Sequence, residues 1–245
     1  MNTDRAWEAW GSREPYFGVL SDERFLGKNL EANLNEFFAS GEEFVTRILA
    51  KYENAFGPLP RGNALDYGCG VGRITLPLAQ QFENVVGVDV STSMLKEAEQ
   101  NAIRRGKHGV RFDPLGAFLN SGESYDFVNT YIVLQHIPVR RGMKLIDTLI
   151  QRVRPGGGFF IHFSTLPDDF RPRLLHFVRH SLPLVNAAVN VAKGRPASTP
   201  AMQMNPYSIR AVLALLDESS INETLVFTER HGKFMTVGLL GRKPS

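Results

Sequence analysis

The residues best suited to chemistry begin with a glycine-rich segment, LDYGCGVGR at positions 65–73, in which Gly68, Gly70 and Gly72 alternate with other residues. Glycines at the end of a strand let the backbone approach a ligand that a side chain would exclude. Arg73 stands where a dinucleotide-binding loop carries its third glycine, so the spacing disfavours a nicotinamide. The segment is therefore either a ligand-binding loop or a tight turn between a strand and a helix.

An acidic residue, Asp89, follows 17 residues after the last loop glycine, at the end of a second apolar run. In open α/β sheets a ligand binds beyond the carboxyl ends of the strands. A carboxylate there offers two acceptor oxygens, which suits the two hydroxyls of a ribose. The other interpretation of Asp89 is an acid favoured by the dipole of the helix that follows. Met94, in that helix, either covers an adenine ring or belongs to the core.

Short apolar strands and amphipathic helices must alternate to position these residues. The predicted strands cover 64–67, 85–90, 110–112, 125–131, 159–163, 223–227 and 234–240, and the predicted helices cover 73–82, 91–105, 139–153 and 206–216. Ser91 is the expected N-cap of the second of these helices. Alternation at this spacing predicts a doubly wound, Rossmann-like α/β fold with a seven-stranded, mostly parallel sheet.

The chain of 245 residues, 43% hydrophobic and 22% charged, is typical of one globular domain. We expect an N-terminal helical cap at 1–57, a core at 58–164 and 206–243, and an inserted helical segment at 165–205 that covers the substrate. One cysteine excludes an intrachain disulfide and a cysteine-based zinc site, and no metal is expected. Without a signal-like start or a long apolar run, the expected compartment is the cytoplasm.

Four segments in order resemble the class I S-adenosylmethionine-dependent methyltransferases that act on small molecules. They read LDYGCGVGR, VVGVDVSTSMLKEA, YDFVNTYIVLQHIP and VRPGGGFFIHF, and they lie within residues 62–164. The resemblance implies the fold, the reaction class and S-adenosyl-L-methionine as the cofactor, and it leaves the methyl acceptor open.

Carried over by position, the glycine loop would hold the amino-acid end of the cofactor, and Asp66 would orient that loop or the cofactor's ammonium group. The resemblance places Asp89 on the ribose, and Val90 and Met94 against the adenine. The family's acidic residue after the third strand falls at Leu115 or Gly116 here, with Asp113 too early unless the loop shifts, so backbone groups near Gly116 and Ala117 are expected to hold the adenine amine. The complete predicted cofactor set is Tyr16, Asp66, Gly68, Cys69, Gly70, Gly72, Arg73, Asp89, Val90, Met94, Gly116 and Ala117.

Two candidate catalytic residues are Tyr131, at the tip of the fourth strand, and His136, just after it; the end of this strand faces the methyl group in this fold. Histidine has an ordinary pKa near neutrality and suits a general base for an acceptor that must lose a proton. The other interpretation is a structural histidine bonded to backbone. Tyr131 is either a wall of the site or a catalytic group.

The N-terminal segment carries Trp7, Trp10, Tyr16 and Phe17 outside the sheet pattern. Similar proteins often fold this segment over the cofactor as a lid, and aromatic rings attract a sulfonium. Tyr16 is the preferred lid residue, whereas the two tryptophans are assigned to packing against the core.

The predicted insertion contains five cations and no acid over 170–205, namely Arg171, Arg173, Arg179, Lys193 and Arg195. Three interpretations stay open: recognition of an anionic acceptor, contact of 170–195 with an anionic membrane surface, or a solvated helical lid.

The primary hypothesis is a methyltransferase with a small-molecule acceptor, of the sugar, lipid-linked or secondary-metabolite kind. The alternative is a non-catalytic subunit or regulator that binds S-adenosylmethionine. A nicotinamide oxidoreductase and a nucleic-acid methyltransferase are disfavoured, the second because two prolines are missing after the fourth strand and the net charge is only +3. The oligomeric state is open.

Overall fold

The computed structural model describes residues 3–165, 202–231 and 234–245, together with positions 185 and 192. The cations and histidines of the predicted insertion therefore lie outside the described residues. None of the helices in the described part of the chain combines the length and the apolar character needed to cross a bilayer.

Eight helices are described: α1 (Thr3–Arg13), α2 (Pro15–Leu20), α3 (Leu30–Phe56), α4 (Thr75–Leu78), α5 (Thr92–Arg104), α6 (Leu115–Ser121), α7 (Val139–Gln151) and α8 (Ile209–Glu218). Short 3-10 turns cover Glu23–Phe25, Gly27–Asn29 and Leu134–His136. The strands are β1 (Asn63–Tyr67), β2 (Asn84–Asp89), β3 (Val110–Pro114), β4 (Tyr125–Thr130), β5 (Val153–Ser164), β6 (Thr224–His231) and β7 (Phe234–Arg242).

The seven strands form one sheet in the order β3-β2-β1-β4-β5-β7-β6. Strands β1 to β5 are parallel, whereas β7 runs antiparallel to β5 and β6 runs antiparallel to β7. The predicted α/β fold with a seven-stranded, mostly parallel sheet is confirmed. Strand order reverses between β1 and β4, so the chain leaves these neighbours toward opposite sides and opens a crevice at their carboxyl ends.

Apolar side chains cover both faces of the sheet. One cluster packs β1, β4 and β5 against α7 and α8, and a second packs the opposite face against α3. A third cluster joins α1 and α2 to α3 and α5, and it contains Trp10, Phe17, Phe37 and Met94. The N-terminal helices are thus attached to the body over the carboxyl edge of the sheet.

Several predicted boundaries need correction. The helix predicted at 73–82 is regular only over Thr75–Leu78. Pro77 lacks the amide hydrogen that would bond to the Arg73 carbonyl, and beyond Leu78 the chain continues as turns to Phe82. The segment at 115–121, assigned no helix from the sequence, forms α6 and contains Gly116 and Ala117. Strand β5 begins at Val153 rather than at 159, so the helix before it ends at Gln151.

Candidate functional site

A cleft opens at the point where the strand order reverses. It contains about 710 Å³ of empty space, open solvent at its mouth included. Its described walls are Thr3, Asp4, Trp7, Gly18, Val19, Tyr67, Gly68, Gly70, Asp89, Val90, Met94, Tyr131, Ile132, Val133, His136, Ile137 and Arg141. They come from the carboxyl ends of β1, β2 and β4 and from α1, α2, α5 and α7.

The glycine loop forms the floor of the cleft. Gly68 and Gly70 have φ values of 77° and 53°, in the left-handed region that favours glycine. A Cβ atom on Gly68 would lie 2.3 Å from Val133 Cγ2, and one on Gly70 would lie 2.7 Å from Val19 Cγ2. Neither position admits a side chain, so the backbone itself faces the cleft. Gly72 is also left-handed, but it packs against Leu76 and does not line the cleft.

Asp89 lies at the carboxyl end of β2 and contacts the loop directly. Its Oδ2 accepts a hydrogen bond from the Gly70 amide at 2.9 Å, and its Oδ1 accepts one from the Ser91 amide at 2.9 Å. Burial raises the pKa of Asp89, and these two hydrogen bonds oppose the rise. Each carboxylate oxygen keeps a further acceptor position. Val90 and Met94 continue the same wall.

The Asp66 carboxylate lies beneath the loop and does not reach the cleft. Its Oδ1 accepts from Asn129 Nδ2 at 2.7 Å, and its Oδ2 accepts from Thr75 Oγ1 at 2.6 Å. Burial raises its pKa to about 6. Because both oxygens are engaged inside the protein, the geometry favours orientation of the loop over direct contact with a ligand.

Cys69 and Arg73 also point away from the cleft. The Cys69 thiol is buried, and its burial raises its pKa well above the ordinary value. Arg73 is 4% exposed, its Nη1 donates to Ser40 Oγ at 3.2 Å, and its guanidinium carbon lies 5.6 Å from the centre of the Tyr131 ring. Arg73 therefore supports a wall residue from behind.

The structure does not bring Tyr16, Gly116 or Ala117 to the described walls of the cleft. The Tyr16 hydroxyl lies 2.7 Å from Glu97 Oε1 and 3.0 Å from Asn101 Oδ1, so the ring fastens α2 to α5 instead of covering the cleft. Gly116 and Ala117 are at the start of α6. A cofactor role for these three residues stays a prediction.

Helices α1 and α2 cover the cleft with other residues, of which Trp7 is the largest. The ring centres of Trp7 and His136 are 4.9 Å apart in an edge-to-face arrangement. Trp10, by contrast, is 6% exposed and packs on Phe17. The predicted positions of these aromatic residues are thus corrected: Trp7 lines the cleft, and Tyr16 is in the core.

Polar contacts fix α1 to the rim of the cleft. The Glu8 carboxylate accepts from Ser91 Oγ at 2.8 Å and from the Ser93 amide at 3.3 Å, at the N-terminus of α5. Burial alone would raise the pKa of Glu8. The hydrogen bonds from Ser93 and Ser91 lower it by more, so the net pKa is below the ordinary value. On the other side, Arg141 Nη1 donates to Asp4 Oδ1 at 2.8 Å.

Two glycines let the N-terminal helices approach the body closely. A Cβ atom on Gly11 would lie 2.3 Å from Ser91 Oγ, and one on Gly18 would lie 3.0 Å from Met94 Cε. Met94 is 1% exposed under both helices. The covering of the cleft therefore depends on small residues at positions 11 and 18.

His136 is buried beside Trp7, and its tautomer follows from one contact. Its Nδ1 lies 2.6 Å from the carbonyl oxygen of Gln203, which can only accept, so Nδ1 carries the proton. Burial lowers the pKa of His136 to about 4, against the opposing effect of that hydrogen bond. At neutral pH the ring is uncharged, with its lone pair on Nε2.

Tyr131 is held as a rigid wall residue. Its ring stacks on Phe44 with ring centres 4.0 Å apart and meets the His162 ring edge-on at 4.8 Å. Burial raises the pKa of the phenol, and the charge of Arg73 opposes that rise. Tyr131 therefore faces the cleft as a protonated phenol at neutral pH.

The sequence interpretation missed several residues of the cleft. They are Thr3, Asp4, Trp7, Gly18, Val19, Tyr67, Ile132, Val133, Ile137 and Arg141. Tyr67 and the segment 132–133 lie inside motifs that were recognised, so their place at two strand ends was a usable signal. Nothing in the sequence pairs Asp4 with Arg141, which are 137 positions apart.

Comparisons with known proteins agree on one domain type. The family described as "Methyltransferase domain" matches residues 64–157. A ubiquinone biosynthesis O-methyltransferase from Leptothrix cholodnii is 30% identical over 129 residues, which cover 51% of this chain and 53% of that protein. A 23S rRNA (uracil(1939)-C(5))-methyltransferase from Aeromonas hydrophila is 50% identical over 48 residues, 20% of this chain and 11% of that protein. The chain thus spans about half the length, or less, of these curated relatives.

Among solved structures, magnesium protoporphyrin IX methyltransferase from Synechocystis, with bound S-adenosylhomocysteine, superimposes with a TM-score of 0.66. The superposition covers 98% of this chain and 97% of that chain at 18% sequence identity. At that identity the likeness establishes a shared fold over nearly the whole chain.

Proposed function

This chain contains a class I S-adenosylmethionine-dependent methyltransferase domain, and on that premise we propose that the whole chain transfers the methyl group of S-adenosylmethionine to a small-molecule acceptor by in-line displacement. The methyltransferase family predicted from the sequence is confirmed for residues 64–157, whereas the activity of the whole chain and its cofactor belong to this proposal. The residues assigned to each role, the division of the chain into cap, core and insertion, the acceptor and the cytoplasmic compartment are proposals.

One observation carries the proposal: the cleft brings two glycines that exclude side chains next to a carboxylate at the neighbouring strand end. Gly68 and Gly70 line the cleft, and the amino-acid part of the cofactor would lie against their backbone. Asp89 would accept from the ribose hydroxyls with the acceptor positions that its two amide contacts leave open. Val90 and Met94 would contact the adenine on the apolar wall.

When bound, S-adenosylmethionine supplies a methyl group activated by a positively charged sulfur. The chain's own task is then to align the acceptor and to exclude water. Trp7 and Val133 close the cleft with apolar surface. His136 is neutral with its lone pair on Nε2, which lies 3.4 Å from Gln135 Nε2, so it would accept the proton of an acceptor hydroxyl or amine only by exchanging that contact for one with the acceptor.

Support for the acceptor class comes from two sources. The quinone-pathway relative is named an O-methyltransferase, which favours an acceptor oxygen. The five cations within 170–205 favour an anionic acceptor, or an anionic lipid surface that presents it. We propose an oxygen nucleophile on a small anionic molecule as the first class to be tested.

Calorimetric titration with S-adenosylhomocysteine tests the proposed cofactor site. Asp89→Asn should weaken binding at least about tenfold, because a charged acceptor of two ribose hydroxyls is lost. Asp113→Asn is the matched control, since Asp113 lies on the adjacent strand β3 and pairs with Arg111 outside the cleft. If Asp89→Asn and Asp113→Asn bind S-adenosylhomocysteine equally well, Asp89 is not part of the cofactor site.

Release of S-adenosylhomocysteine from S-adenosylmethionine separates an enzyme from a non-catalytic binding subunit. The protein is incubated with panels of phenolic and carboxylic acceptors, and each panel is repeated with His136→Gln. Acceptor-dependent release by the wild type is expected, with a larger loss of turnover than of cofactor affinity in the variant. If the protein binds S-adenosylmethionine but releases no S-adenosylhomocysteine with either panel, the regulatory alternative is favoured.

A further inference from the structure

Ile132, on the wall of the cleft, has a backbone conformation that isoleucine rarely adopts. Its φ is 61°, in the left-handed region. Among the described residues only two other non-glycine residues have positive φ, Ser21 and Ser220, and both lie at or just after the end of a helix. A β-branched residue in this conformation is strained and persists only where its surroundings hold it.

One contact explains what holds Ile132 in place. Its backbone N–H donates to Nδ1 of His162 at 3.3 Å. Since an amide can only donate, Nδ1 must be unprotonated, so the neutral ring carries its proton on Nε2. His162 is fully buried on β5, the strand that pairs with β4 directly before the loop.

The same imidazole also touches the residue before Ile132. The His162 ring meets the Tyr131 ring edge-on at 4.8 Å, while Phe44 stacks on Tyr131 at 4.0 Å. Tyr131 and Ile132 both line the cleft, but His162 does not. One buried side chain therefore contacts two successive wall residues from behind.

The strained residue is coupled to the glycine loop through its neighbour. Val133 occupies the space that a side chain on Gly68 would need, with its Cγ2 atom 2.3 Å from that Cβ position. Rotation of the Ile132 backbone out of the left-handed region would move Val133 relative to Gly68. The position of the wall and the width of the cleft at Gly68 are thus set together.

We propose that His162 is a positioning residue, which holds Ile132 in its left-handed conformation and thereby keeps the 131–133 wall in register with the glycine loop. The proposal rests on the proposed function, because the wall matters for affinity only if the cleft binds the cofactor. His162 itself touches neither cofactor nor acceptor.

Two substitutions separate the hydrogen bond from the bulk of the ring. His162→Asn keeps an acceptor oxygen near the position of Nδ1, whereas His162→Phe keeps the ring and loses the acceptor. Calorimetric titration with S-adenosylhomocysteine should show a loss of about tenfold for His162→Phe and no more than about threefold for His162→Asn. Equal affinity of His162→Phe and the wild type would overturn the proposal.

A second pair of variants tests the strain itself. Glycine adopts the left-handed conformation freely, so it does not need a partner to hold it. In an Ile132→Gly background, His162→Phe should cost no more than about threefold in affinity. A full tenfold loss in that background would show that His162 acts by another route and would refute the proposal.

Hydrogen exchange of the Ile132 amide, followed by NMR in the unliganded protein, decides the matter without a ligand. His162→Phe should accelerate exchange of this amide at least about tenfold, and His162→Asn should leave it nearly unchanged. Unchanged exchange in His162→Phe would contradict the proposal. Should the wild type fail to bind S-adenosylhomocysteine, the proposed function fails, while hydrogen exchange still tests the role of His162.

If His162→Phe does not fold, His162→Gln replaces it, because its amide lies where Nε2 was.

Discussion

The floor and the cover of the cleft are built by different means. The floor, formed by the glycine loop and Asp89, uses backbone conformation and contacts between residues 19 positions apart. The cover, formed by α1 and α2, uses side-chain contacts with residues more than 80 positions away, such as Glu8 with Ser91 and Asp4 with Arg141. A backbone-built surface tolerates almost no substitution, whereas a side-chain-built one distributes its stabilisation over several weak contacts.

The strongest test of this difference is a side chain added to the floor. Gly70→Ala should weaken S-adenosylhomocysteine binding about hundredfold, because a left-handed alanine is strained and its Cβ would meet Val19 at 2.7 Å. Gly122→Ala is the matched control: Gly122 is also left-handed, but its nearest neighbour is Arg152 Nη1 at 3.8 Å, away from the cleft. A similar affinity for both variants would mean that the floor is not built as described.

A pH experiment tests the packing of the wall under the cover. His136 has its pKa lowered by burial to about 4, below the ordinary 6.5, so the unfolded chain binds a proton first as the pH falls. Its contribution to stability is complete above pH 6.5 and decreases toward pH 4, by on the order of 2 kcal/mol. The raised pKa of Asp66 has the opposite sign, with stability decreasing as the pH rises from 3.8 to about 6.

Urea unfolding at pH 7 and near pH 4.5 measures the free energy of unfolding for the wild type and His136→Gln. The variant should lose less stability on acidification than the wild type. His108→Gln, at an exposed position on the loop before β3, is the control and should follow the wild type. If all three proteins lose the same free energy of unfolding between pH 7 and pH 4.5, His136 is in a solvated environment.

Removal of the largest side chain of the cover should have a moderate effect. Trp7→Ala should weaken S-adenosylhomocysteine binding about tenfold, because an aromatic wall and its contact with His136 are lost. Leu213→Ala, on α8 and away from the cleft, controls for the loss of exposed apolar surface. An affinity equal to that of the wild type would indicate that α1 does not close the cleft in solution.

The smallest effect is expected at the rim. Asp4→Asn removes an ion pair whose side chains are about two-fifths exposed, so affinity should fall no more than about threefold. The difference should disappear at about 1 M salt, where charges are screened over a few ångströms. A tenfold loss that persists in salt would make Asp4 part of the binding surface itself.

Local patterns were sufficient to predict the floor. The strand periodicity placed Gly68 and Asp89 at neighbouring strand ends, and Ser91 caps α5 through its contact with the Met94 amide as expected. The short extent of α4 was missed because the pattern was extended across Pro77. Helix α6 was missed because the segment begins with Pro114 and Leu115-Gly116, which resemble a turn.

The cover could be predicted only as a helical cap. Trp7 and Tyr16 both belong to the aromatic N-terminal segment, and only docking on α5 decides which ring faces the cleft. The conformation of Ile132 likewise depends on His162, 30 positions away on another strand. Single-sequence periodicity contains no information on such pairs.

The close approach of α1 and α2 at Gly11 and Gly18 has a consequence for how this end of the chain acquires order. Glycine and a short length both weaken intrinsic helicity, and Pro15 separates the two helices. A peptide covering 3–20 would consequently be mainly random coil in water, and its helices would form only on contact with Met94 and Ser91. Folding of residues 3–20 and closure over the cleft are then one cooperative event.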